Sequence, residues 1–392
     1  MLVLYTCLVI IFLYARKVFM SNSFVISQKD FLATLFFMQP ICTKKTTISS
    51  TSCILFHVSN KELILKATDL EVSLQYSCQL LESSVESIQF LVPGKKIFDV
   101  VKEMSGDIEC IFDENQLTIK AEKKINISFN IKKAEEFPPL PERIENLMQI
   151  DSLFLSDMLG KVSFLIPQNN ATPSLNGLFL EISPKDFKLT TTDGHCLAQV
   201  TSEKYVLEKE KKWLLPRRAI FELKKILENS DVPSIFLGMC DNQLVFSGER
   251  FNFFTKLLAD EFPKYESILQ HDSFMPATIN KSDLVKTLRR SACLLSGQFL
   301  ATNFMFSKNH LKVSLKNSEI GNLDEMLSIE NFTSESLEMR FYSPYLLQGL
   351  QSFETENITC FLKSNTRPII FKASDDMCNL MYLVMPVSAN NA

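Results

Sequence analysis

Glycine is scarce in this chain, and the glycine patterns that hold nucleotides are missing. There are ten glycines among 392 residues, and neither GxGxxG nor GxxxxGK[ST] occurs. Such loops cradle phosphates because glycine lets backbone N–H groups approach the ligand closely. Their absence argues against nucleotide-dependent chemistry.

The cysteines lack the spacing of a metal site. No CxxC pair occurs among the ten, which are Cys7, Cys42, Cys53, Cys78, Cys110, Cys196, Cys240, Cys293, Cys360 and Cys378. Structural zinc sites and secreted disulfide frameworks both show closer, patterned spacing. We therefore predict buried thiols in a reducing cytoplasm, without zinc or another cofactor.

Excess positive charge is also missing, since the formal net charge is −4. This excludes a protein that coats nucleic acid over its whole surface, but it permits a local basic stripe. The length, with 46% hydrophobic residues, allows two or three domains that each bury a core.

The first nineteen residues form a leader that opens with the continuously apolar run MLVLYTCLVIIFLY, and Arg16 and Lys17 follow that run. A secretory signal carries its positive charge before the apolar stretch, and a bilayer span needs about 20 apolar residues. We expect that translation starts at Met20, with a membrane-associated N-terminus as the alternative.

A segment around Asp30 recurs twice. SQKDFLATL around Asp30 matches FLSDMLGKV around Asp157 and NKSDLVKTL around Asp283, at separations of 127 and 126 residues. Apolar residues follow each aspartate at helical spacing, which predicts a helix in each copy. They are Leu32 and Leu35, Leu159 and Val162, and Leu284 and Leu288.

The starts of these helices are signalled in two copies. Ser27 and Asn280 stand three residues before their aspartates, where a side chain can cap the helix. In the middle copy that position holds Phe154, which cannot act as a cap.

A predicted strand pair follows the helix in each copy. The segments KELILKATDLEVSL, KDFKLTTTDGHCLAQV and NHLKVSLKNSEIGNL bring Asp69, Asp193 and Asn317 into register, 124 residues apart. A second helix is predicted from Pro93, Pro216 and Tyr342, because proline is tolerated in the first helical turn. Further strands are predicted around Leu117 and Leu244.

Proline-bearing linkers separate the copies, at Glu135–Arg143 and Asp260–Ile268. We predict an α+β fold made of three tandem helix-strands-helix-strands units, in which two helices cover one face of antiparallel sheet. The predicted domains are residues 20–143, 144–271 and 272–392, after the leader at 1–19.

Positive charge is concentrated on three predicted helices. Equivalent helices of a symmetric assembly face the same way and could form a basic lining, although a charged helix face is most often simply solvated. A tandem array without an enclosed space therefore remains open at this point. The residues are Lys95, Lys96 and Lys102; Arg217, Arg218, Lys224 and Lys225; and Lys281, Lys286, Arg289 and Arg290.

Five segments resemble, in the same order, the bacterial DNA sliding clamp, the β processivity subunit of DNA polymerase III. They are ATDLEVSL (67–74), LNGLFLE (175–181), TTDGHCLA (191–198), EFPKYESIL (261–269) and YLVMPV (382–387). The resemblance runs from Met20 to about Ser388, and the combination of TDGHxLA with the terminal MP segment is fairly specific.

The resemblance implies the DNA clamp fold, as a head-to-tail homodimer that closes a pseudo-sixfold ring with helices around the hole. It implies a cytoplasmic, non-catalytic processivity factor that encircles duplex DNA without reading its sequence. The implied partners are the polymerase III catalytic subunit, the clamp loader, other replication and repair proteins, and a second copy of the chain.

The resemblance also implies a pocket that binds a short partner peptide. Aliphatic and methionine side chains suit apolar peptide anchors. Many members have arginine where this chain has Cys196 and Ser267, and end soon after an arginine where this chain continues, so the peptide preference is left open. The expected pocket is Leu175, Thr192, Gly194, His195, Cys196, Leu197, Pro263, Ser267, Ile268, Leu383, Val384, Met385, Pro386 and Val387.

The residues expected to contact DNA are basic or polar. Lys44 and Lys45 follow the first helix, where the family has a basic residue, and Asn169 lies in the equivalent loop of the second copy. Arg217 and Arg218 lie on the basic helix of that copy. The alternative is that two lysines in a polar loop are merely solvated.

Two other interpretations compete with a clamp. His195 and Cys196 could form a nucleophile pair, but adjacent residues on a strand point to opposite faces. A membrane-tethered repeat scaffold would instead use residues 2–14 as its anchor. A eukaryotic-type clamp is disfavoured because it has two such units per chain, whereas three are counted here.

Overall fold

The computed structural model describes residues 22–122, 125–141, 143–270, 273–295 and 301–387. They divide into two compact units. The first comprises the described residues up to Gln149 together with Asp231–Lys256. The second comprises Ile150–Ser230 and the described residues from Leu257 onward. The predicted leader, residues 1–19, lies outside the described residues.

The elements follow the same order in each repeat. The first repeat contains β1 (Asn22–Ser27), α1 (Gln28–Cys42), β2 (Cys53–Ser59), β3 (Glu62–Thr68), β4 (Val72–Gln79), β5 (Glu82–Ser83), β6 (Ser87–Pro93), α2 (Gly94–Lys102), β7 (Asp107–Phe112), β8 (Gln116–Ala121), β9 (Ile125–Asn130) and β10 (Lys132–Lys133). The second contains β11 (Glu145–Asp151), α3 (Ser152–Ser163), β12 (Gly177–Ile182), β13 (Phe187–Thr192), β14 (Cys196–Ser202), β15 (Lys211–Pro216), α4 (Arg217–Asn229), β16 (Ser234–Cys240), β17 (Gln243–Ser247) and β18 (Phe251–Lys256). A short helix, α5 (Glu266–Leu269), precedes the third, which contains β19 (Met275–Asn280), α6 (Lys281–Cys293), β20 (Thr302–Ser307), β21 (His310–Asn317), β22 (Gly321–Glu330), β23 (Leu337–Phe341), α7 (Ser343–Leu350), β24 (Asn357–Leu362), β25 (Ile369–Ser374) and β26 (Asn379–Val384).

This order confirms the predicted α+β class and the threefold repetition of helix, strands, helix and strands. Each repeat also begins with a strand before its first helix, which the sequence analysis did not predict. Those strands are β1, β11 and β19.

The start of the middle helix corrects the sequence alignment. Asp151 is the N-cap of α3, and its Oδ1 accepts a hydrogen bond from the Phe154 N–H at 2.8 Å. Phe154 is therefore the third helical residue, in the position that Asp30 and Asp283 occupy in their helices. The alignment of Asp157 with those two aspartates was wrong by three residues, because it matched an acidic residue inside the helix.

The other two predicted caps differ from each other. Asn280 caps α6 as predicted, with its Oδ1 3.2 Å from the Asp283 nitrogen. Ser27 is at the N-cap position of α1 but makes no side-chain capping bond. The first helical N–H, that of Gln28, donates instead to the Gly106 carbonyl at 3.0 Å, so the predicted cap position is confirmed but the side-chain capping bond is not made.

The aligned residues Asp69, Asp193 and Asn317 occupy the same turn in all three repeats. The side-chain oxygen of each accepts hydrogen bonds from the N–H groups two and three residues later, at 2.7–3.3 Å. This turn ties β3 to β4, β13 to β14 and β21 to β22. The predicted register is confirmed.

The two helices of each repeat pack together over strands of their own repeat. α1 contacts α2 and crosses β3 and β4, α3 contacts α4 and crosses β13 and β14, and α6 contacts α7. The apolar helix residues, including Phe31, Phe154 and Leu284, are almost completely buried. Each such side chain contributes about 1.5–3 kcal/mol by leaving water.

Within each unit, strand pairing joins one repeat to the next. In the first unit, β4 pairs antiparallel with β18 in the nine-stranded sheet β10-β6-β2-β3-β4-β18-β17-β16-β11, beside the five-stranded sheet β5-β1-β7-β8-β9. In the second unit, β14 pairs antiparallel with β26 in a twelve-stranded sheet. Because β4 and β14 are equivalent, as are β18 and β26, the two seams are the same structure repeated.

Candidate functional site

The segments expected to form the peptide pocket meet at the seam between β14 and β26, within the second unit. Across this seam Cys196 stands opposite Val384, and Leu197 stands opposite Leu383. The chain beyond β26 continues along the seam, since the Met385 N–H donates to the His195 carbonyl at 2.9 Å. Strand pairing thus brings the TDGHCLA and YLVMPV segments side by side.

The turn before β14 sets the direction of His195. Asp193 Oδ1 accepts the N–H groups of His195 and Cys196 at 2.8 and 2.7 Å, and Gly194 has a φ of +94°. That φ favours glycine, since a side chain would clash with the backbone there. As a result His195 is exposed, and its ring stacks on Tyr345 at 5.8 Å between centroids.

The paired strands present alternate residues to opposite faces of the sheet. Leu197 and Leu383 belong to a cluster with Tyr265 and Ile370, against which Phe262 and Leu269 also pack. Cys196 and Val384 are completely buried on the other face, where the thiol of Cys196 interacts with the Tyr382 hydroxyl. Because they lie on that opposite face, their side chains support the seam but cannot contact a peptide bound to it.

The exposed members of the predicted pocket surround this seam. Ile268 and Met385 are 39% and 38% exposed, although both are large apolar side chains. His195, Pro263 and Ser267 are exposed as well. Leu175 and Thr192 are buried, whereas Gly194 is exposed and Pro386 and Val387 are half-buried.

Three aromatic residues at the site were not predicted from the sequence. Tyr345 comes from α7, outside the segments that carry the resemblance, and packs edge-on against Tyr342. Tyr265 lies inside the quoted segment EFPKYESIL but was not singled out. Its signal was available, because it is an aromatic residue with a polar group that stands between two charged residues, Lys264 and Glu266.

The geometry does not support a nucleophile at this site. Burial raises the pKa of the Cys196 thiol far above its ordinary value of 9.0, so the thiol stays protonated. Cys196 points into the core, whereas His195 is exposed. Within the described ranges, no cluster of His, Cys, Asp or Glu could hold a metal ion.

The predicted DNA-contacting residues differ in their exposure and in whether neighbouring groups compensate their charge. Lys44 is within ion-pair distance of Glu71 and lies 3.6 Å from Asp69, so two carboxylates compensate its charge. Lys45 and Asn169 are exposed. Arg217 lies over the ring of Phe221 at 4.3 Å, which holds the guanidinium at the surface of α4. Arg218, next to it, is half-buried.

The basic helices are not all equivalent. Lys95, Lys96 and Lys102 lie on α2, and Arg217, Arg218, Lys224 and Lys225 lie on the equivalent helix α4. The corresponding helix of the third repeat is α7, SPYLLQGL, which has no lysine or arginine. The third group, from Lys281 to Arg290, lies on α6, the first helix of its repeat.

Family models for the DNA polymerase III beta subunit match the chain in three consecutive blocks. The model of the N-terminal domain matches residues 22–141, that of the central domain residues 149–264, and that of the C-terminal domain residues 266–388.

Curated relatives match over nearly the whole chain. The beta sliding clamps of Pseudomonas putida and Haemophilus influenzae are 27% and 25% identical to it, each covering 93% of this chain and 99% of the relative. Among solved structures, the Pseudomonas aeruginosa DNA polymerase sliding clamp has a TM-score of 0.86 at 24% identity, covering 94% of this chain and 100% of that chain. A Pseudomonas aeruginosa DnaN sliding clamp bound to griselimycin has a TM-score of 0.86 at 25% identity, with the same coverage.

No described helix is long and apolar enough to cross a membrane.

Proposed function

The chain belongs to the DNA polymerase III beta-subunit family, and we propose that it acts as a sliding clamp, a ring that encircles duplex DNA and tethers the replicative polymerase. The observation that carries this proposal is the repeated seam. β4 pairs with β18, and β14 pairs with β26, but the equivalent strands β22 and β9 have no such partner among the described residues.

The free strands supply the dimer interface in this proposal. Residues 321–328 of β22 pair with β21 on one side only, and β9 pairs with β8 at the end of its sheet. Both strands expose apolar side chains, with Met326 at 61% and Ile127 at 36%. A sheet edge of this kind is a template for pairing with another chain. Head-to-tail pairing of β22 with β9 of a second copy completes a six-repeat ring.

Inside the ring, contact with DNA is electrostatic and independent of sequence. Lys45, Asn169, Arg217 and Arg218 are proposed to meet the phosphate backbone, with Lys44 contributing less because Glu71 and Asp69 offset its charge. Phosphate contacts hold the duplex without reading bases, so the ring slides. Processivity then follows from topology, and no catalytic group is required.

The seam between β14 and β26 is the proposed docking site for partner peptides. It combines exposed apolar side chains, Ile268 and Met385, with the stacked rings of His195 and Tyr345. Apolar anchors of an extended peptide gain about 1.5–3 kcal/mol each when buried, before ordering costs, which suits exchange between partners. The partners proposed are the polymerase III catalytic subunit, the clamp loader and other replication and repair proteins, in the cytoplasm.

Electron microscopy and DNA retention test the ring. The purified protein should form closed rings with a central hole, and rings loaded by the clamp loader should stay on a nicked circle and leave after the circle is cut. Open-ended or monomeric particles at micromolar concentration, or equal retention on linear DNA, would contradict the proposal.

A Pseudomonas aeruginosa clamp has been solved bound to griselimycin. We propose that griselimycin binds this chain at the docking site, which makes it a probe. We expect the wild-type chain to bind it in calorimetry, and Ile268→Asp or Met385→Asp to weaken binding of both griselimycin and the polymerase catalytic subunit. Both residues are exposed, so the fold tolerates the charge. Met305→Asp, at a methionine that is 37% exposed on β20, is the matched control and should bind normally.

A further inference from the structure

The segment beside the seam, Phe262–Leu269, has little structure of its own and is here called the lip. It carries Pro263, Ser267 and Ile268, and its only helix, α5, is a single turn of four residues. An isolated turn of this length is unstable in water, because its few hydrogen bonds do not offset the cost of nucleation. The position of the lip must therefore come from contacts with the rest of the second unit.

Tyr265 is the only buried residue of the lip, with 5% of its surface exposed. Its ring packs against Leu197 and Leu383, which form the floor of the seam. Its backbone carbonyl accepts the Ile268 N–H at 3.0 Å, which fixes the turn that carries Ser267. One residue thus contacts both the floor and the exposed edge of the proposed docking site.

The hydroxyl of Tyr265 joins a buried chain of hydrogen bonds. The Gln199 amide donates to Thr190 Oγ1 at 2.9 Å, and the Thr190 hydroxyl donates to the Tyr265 hydroxyl at 3.3 Å. The Tyr265 hydroxyl in turn donates to the carboxylate of Glu181. Thr190, Gln199 and Glu181 are all buried on strands β12 to β14.

These hydrogen bonds all run in one direction and end on the Glu181 carboxylate, so each bond polarises and strengthens the next. Glu181 lies 3.5 Å from Lys212 through its other oxygen, which compensates its charge. Burial, together with Glu181, raises the pKa of Tyr265 well above its ordinary value of 10.0, so the phenol remains a donor throughout the physiological range.

We propose that the Tyr265–Glu181 hydrogen bond is a latch that holds the lip against the floor and preorganises the docking site for its peptide. Tyr265 is a positioning residue in this proposal, which rests on the proposed docking function. A site that is already in its bound shape avoids the entropy cost of ordering the lip when the peptide arrives. Loss of the latch leaves the apolar anchoring surface present but mobile.

Tyr265→Phe removes the hydroxyl and keeps the ring. We expect hydrogen exchange of the lip amides, including those of Ser267 and Ile268, to become about tenfold faster, the factor that corresponds to one charge-assisted hydrogen bond. Griselimycin and the polymerase catalytic subunit should bind about tenfold more weakly. Glu181→Gln retains a hydrogen-bond acceptor and should keep most of the protection of the lip amides from exchange. Glu181→Leu has no acceptor and should exchange as fast as Tyr265→Phe.

Tyr205→Phe is the matched control, because it too removes a hydrogen-bonded phenol hydroxyl, one that accepts the Asp151 N–H at 3.0 Å outside the docking site. It should leave lip exchange and ligand binding unchanged. Unchanged lip exchange in Tyr265→Phe would overturn the latch, whatever the ligand does. If exchange changes but neither Tyr265→Phe nor Ile268→Asp affects binding, the latch stands and the docking function fails.

Discussion

At the scale of single residues, Gly349 shows how closely the seam is packed. It lies on α7 directly beneath the ring of Tyr382, and a Cβ at this position would overlap that ring. We expect Gly349→Ala to lower the free energy of unfolding by about 1–3 kcal/mol, as overpacking of a filled core does. Urea denaturation followed by circular dichroism measures the difference.

Gly160 provides the comparison for that substitution. It lies inside α3, and a Cβ there would meet only the end of the Lys224 side chain, at ordinary distances of 3.7 Å to Nζ and 3.9 Å to Cε. Gly160→Ala should therefore stabilise the protein by up to about 1 kcal/mol, through the better helix propensity of alanine. A similar loss of stability in both variants would show that packing against Tyr382 is not the cause.

Asp193 links the stability of a turn to the shape of the docking site. Removing the carboxylate in Asp193→Ala leaves the N–H groups of His195 and Cys196 without their acceptor, at a cost of about 1–3 kcal/mol. His195 then loses its fixed position, so griselimycin affinity should fall as well.

Asp113 makes the same turn on a different hairpin, and it accepts the N–H groups of Asn115 and Gln116 at 2.8 Å. Calorimetry should therefore find unaltered griselimycin affinity in Asp113→Ala. Equal weakening by both variants would point to a general loss of structure and away from the turn at Asp193.

The candidate site could be predicted from the sequence as a location but not as a surface. The motif segments identified the strands that meet, yet they could not show that Cys196 and Val384 point into the core. That depends on the strand register, which is known only from the pairing of β14 with β26 in the folded chain. Tyr345 was missed for a related reason, since it reaches His195 from a separate element.

At the scale of elements, one ion pair connects α6 to the strand proposed for the dimer interface. Arg290 donates to Glu325 of β22, with Nη2 2.7 Å from Oε2, and Thr287 donates to the same oxygen. The Arg290 hydrogen bonds lower the pKa of Glu325 below its ordinary value of 4.5. Because the folded pKa is depressed, the stabilisation is present above pH 4.5 and is lost as the pH falls through the folded value.

We therefore expect wild type to be more stable than Arg290→Gln near neutral pH, with the difference disappearing in acid. Urea titrations between pH 7 and pH 3 measure it. The effect should be modest and should weaken with salt, since the arginine is exposed. Lys286→Gln removes the exposed ion pair in which Lys286 lies 3.9 Å from Asp283. Its stability difference from wild type should hardly change with pH. A gap that does not shrink as the pH falls below 4.5 would contradict this linkage.

Element order was predictable because repetition supplied three readings of one pattern. The residues at which elements begin and end were harder to predict. Pro93 and Pro216 are the last residues of β6 and β15 and occupy the N-cap positions of α2 and α4, one residue before the predicted helical turn. The strands before each first helix were missed because they run directly into the helix, with no turn residue to separate the two elements.

At the scale of the whole molecule, the proposed interface predicts a charge effect on assembly. Ile127 lies on β9, and residues 321–328 of the opposing strand β22 include Asp324 and Glu325. Ile127→Asp should raise the dimer dissociation constant at least about tenfold, since like charges across an interface are costly. Analytical ultracentrifugation measures the shift.

Leu81→Asp serves as the control for assembly. Leu81 is 56% exposed in the first repeat, outside β9, and its replacement should leave the dimer intact. A stable dimer in Ile127→Asp would exclude β9 from the interface, and dissociation of both variants would indicate a general effect of added negative charge.

The repeated seam also determines how such a ring responds to dilution. Two of the three seams per subunit join repeats of one chain, so the linkers keep their strands at a high effective concentration. The proposed third seam joins separate chains, and its occupancy follows mass action. Opening at that seam separates two strand edges while every repeat keeps its core. Passage of DNA into the ring is therefore a problem of association equilibrium, and no repeat has to unfold.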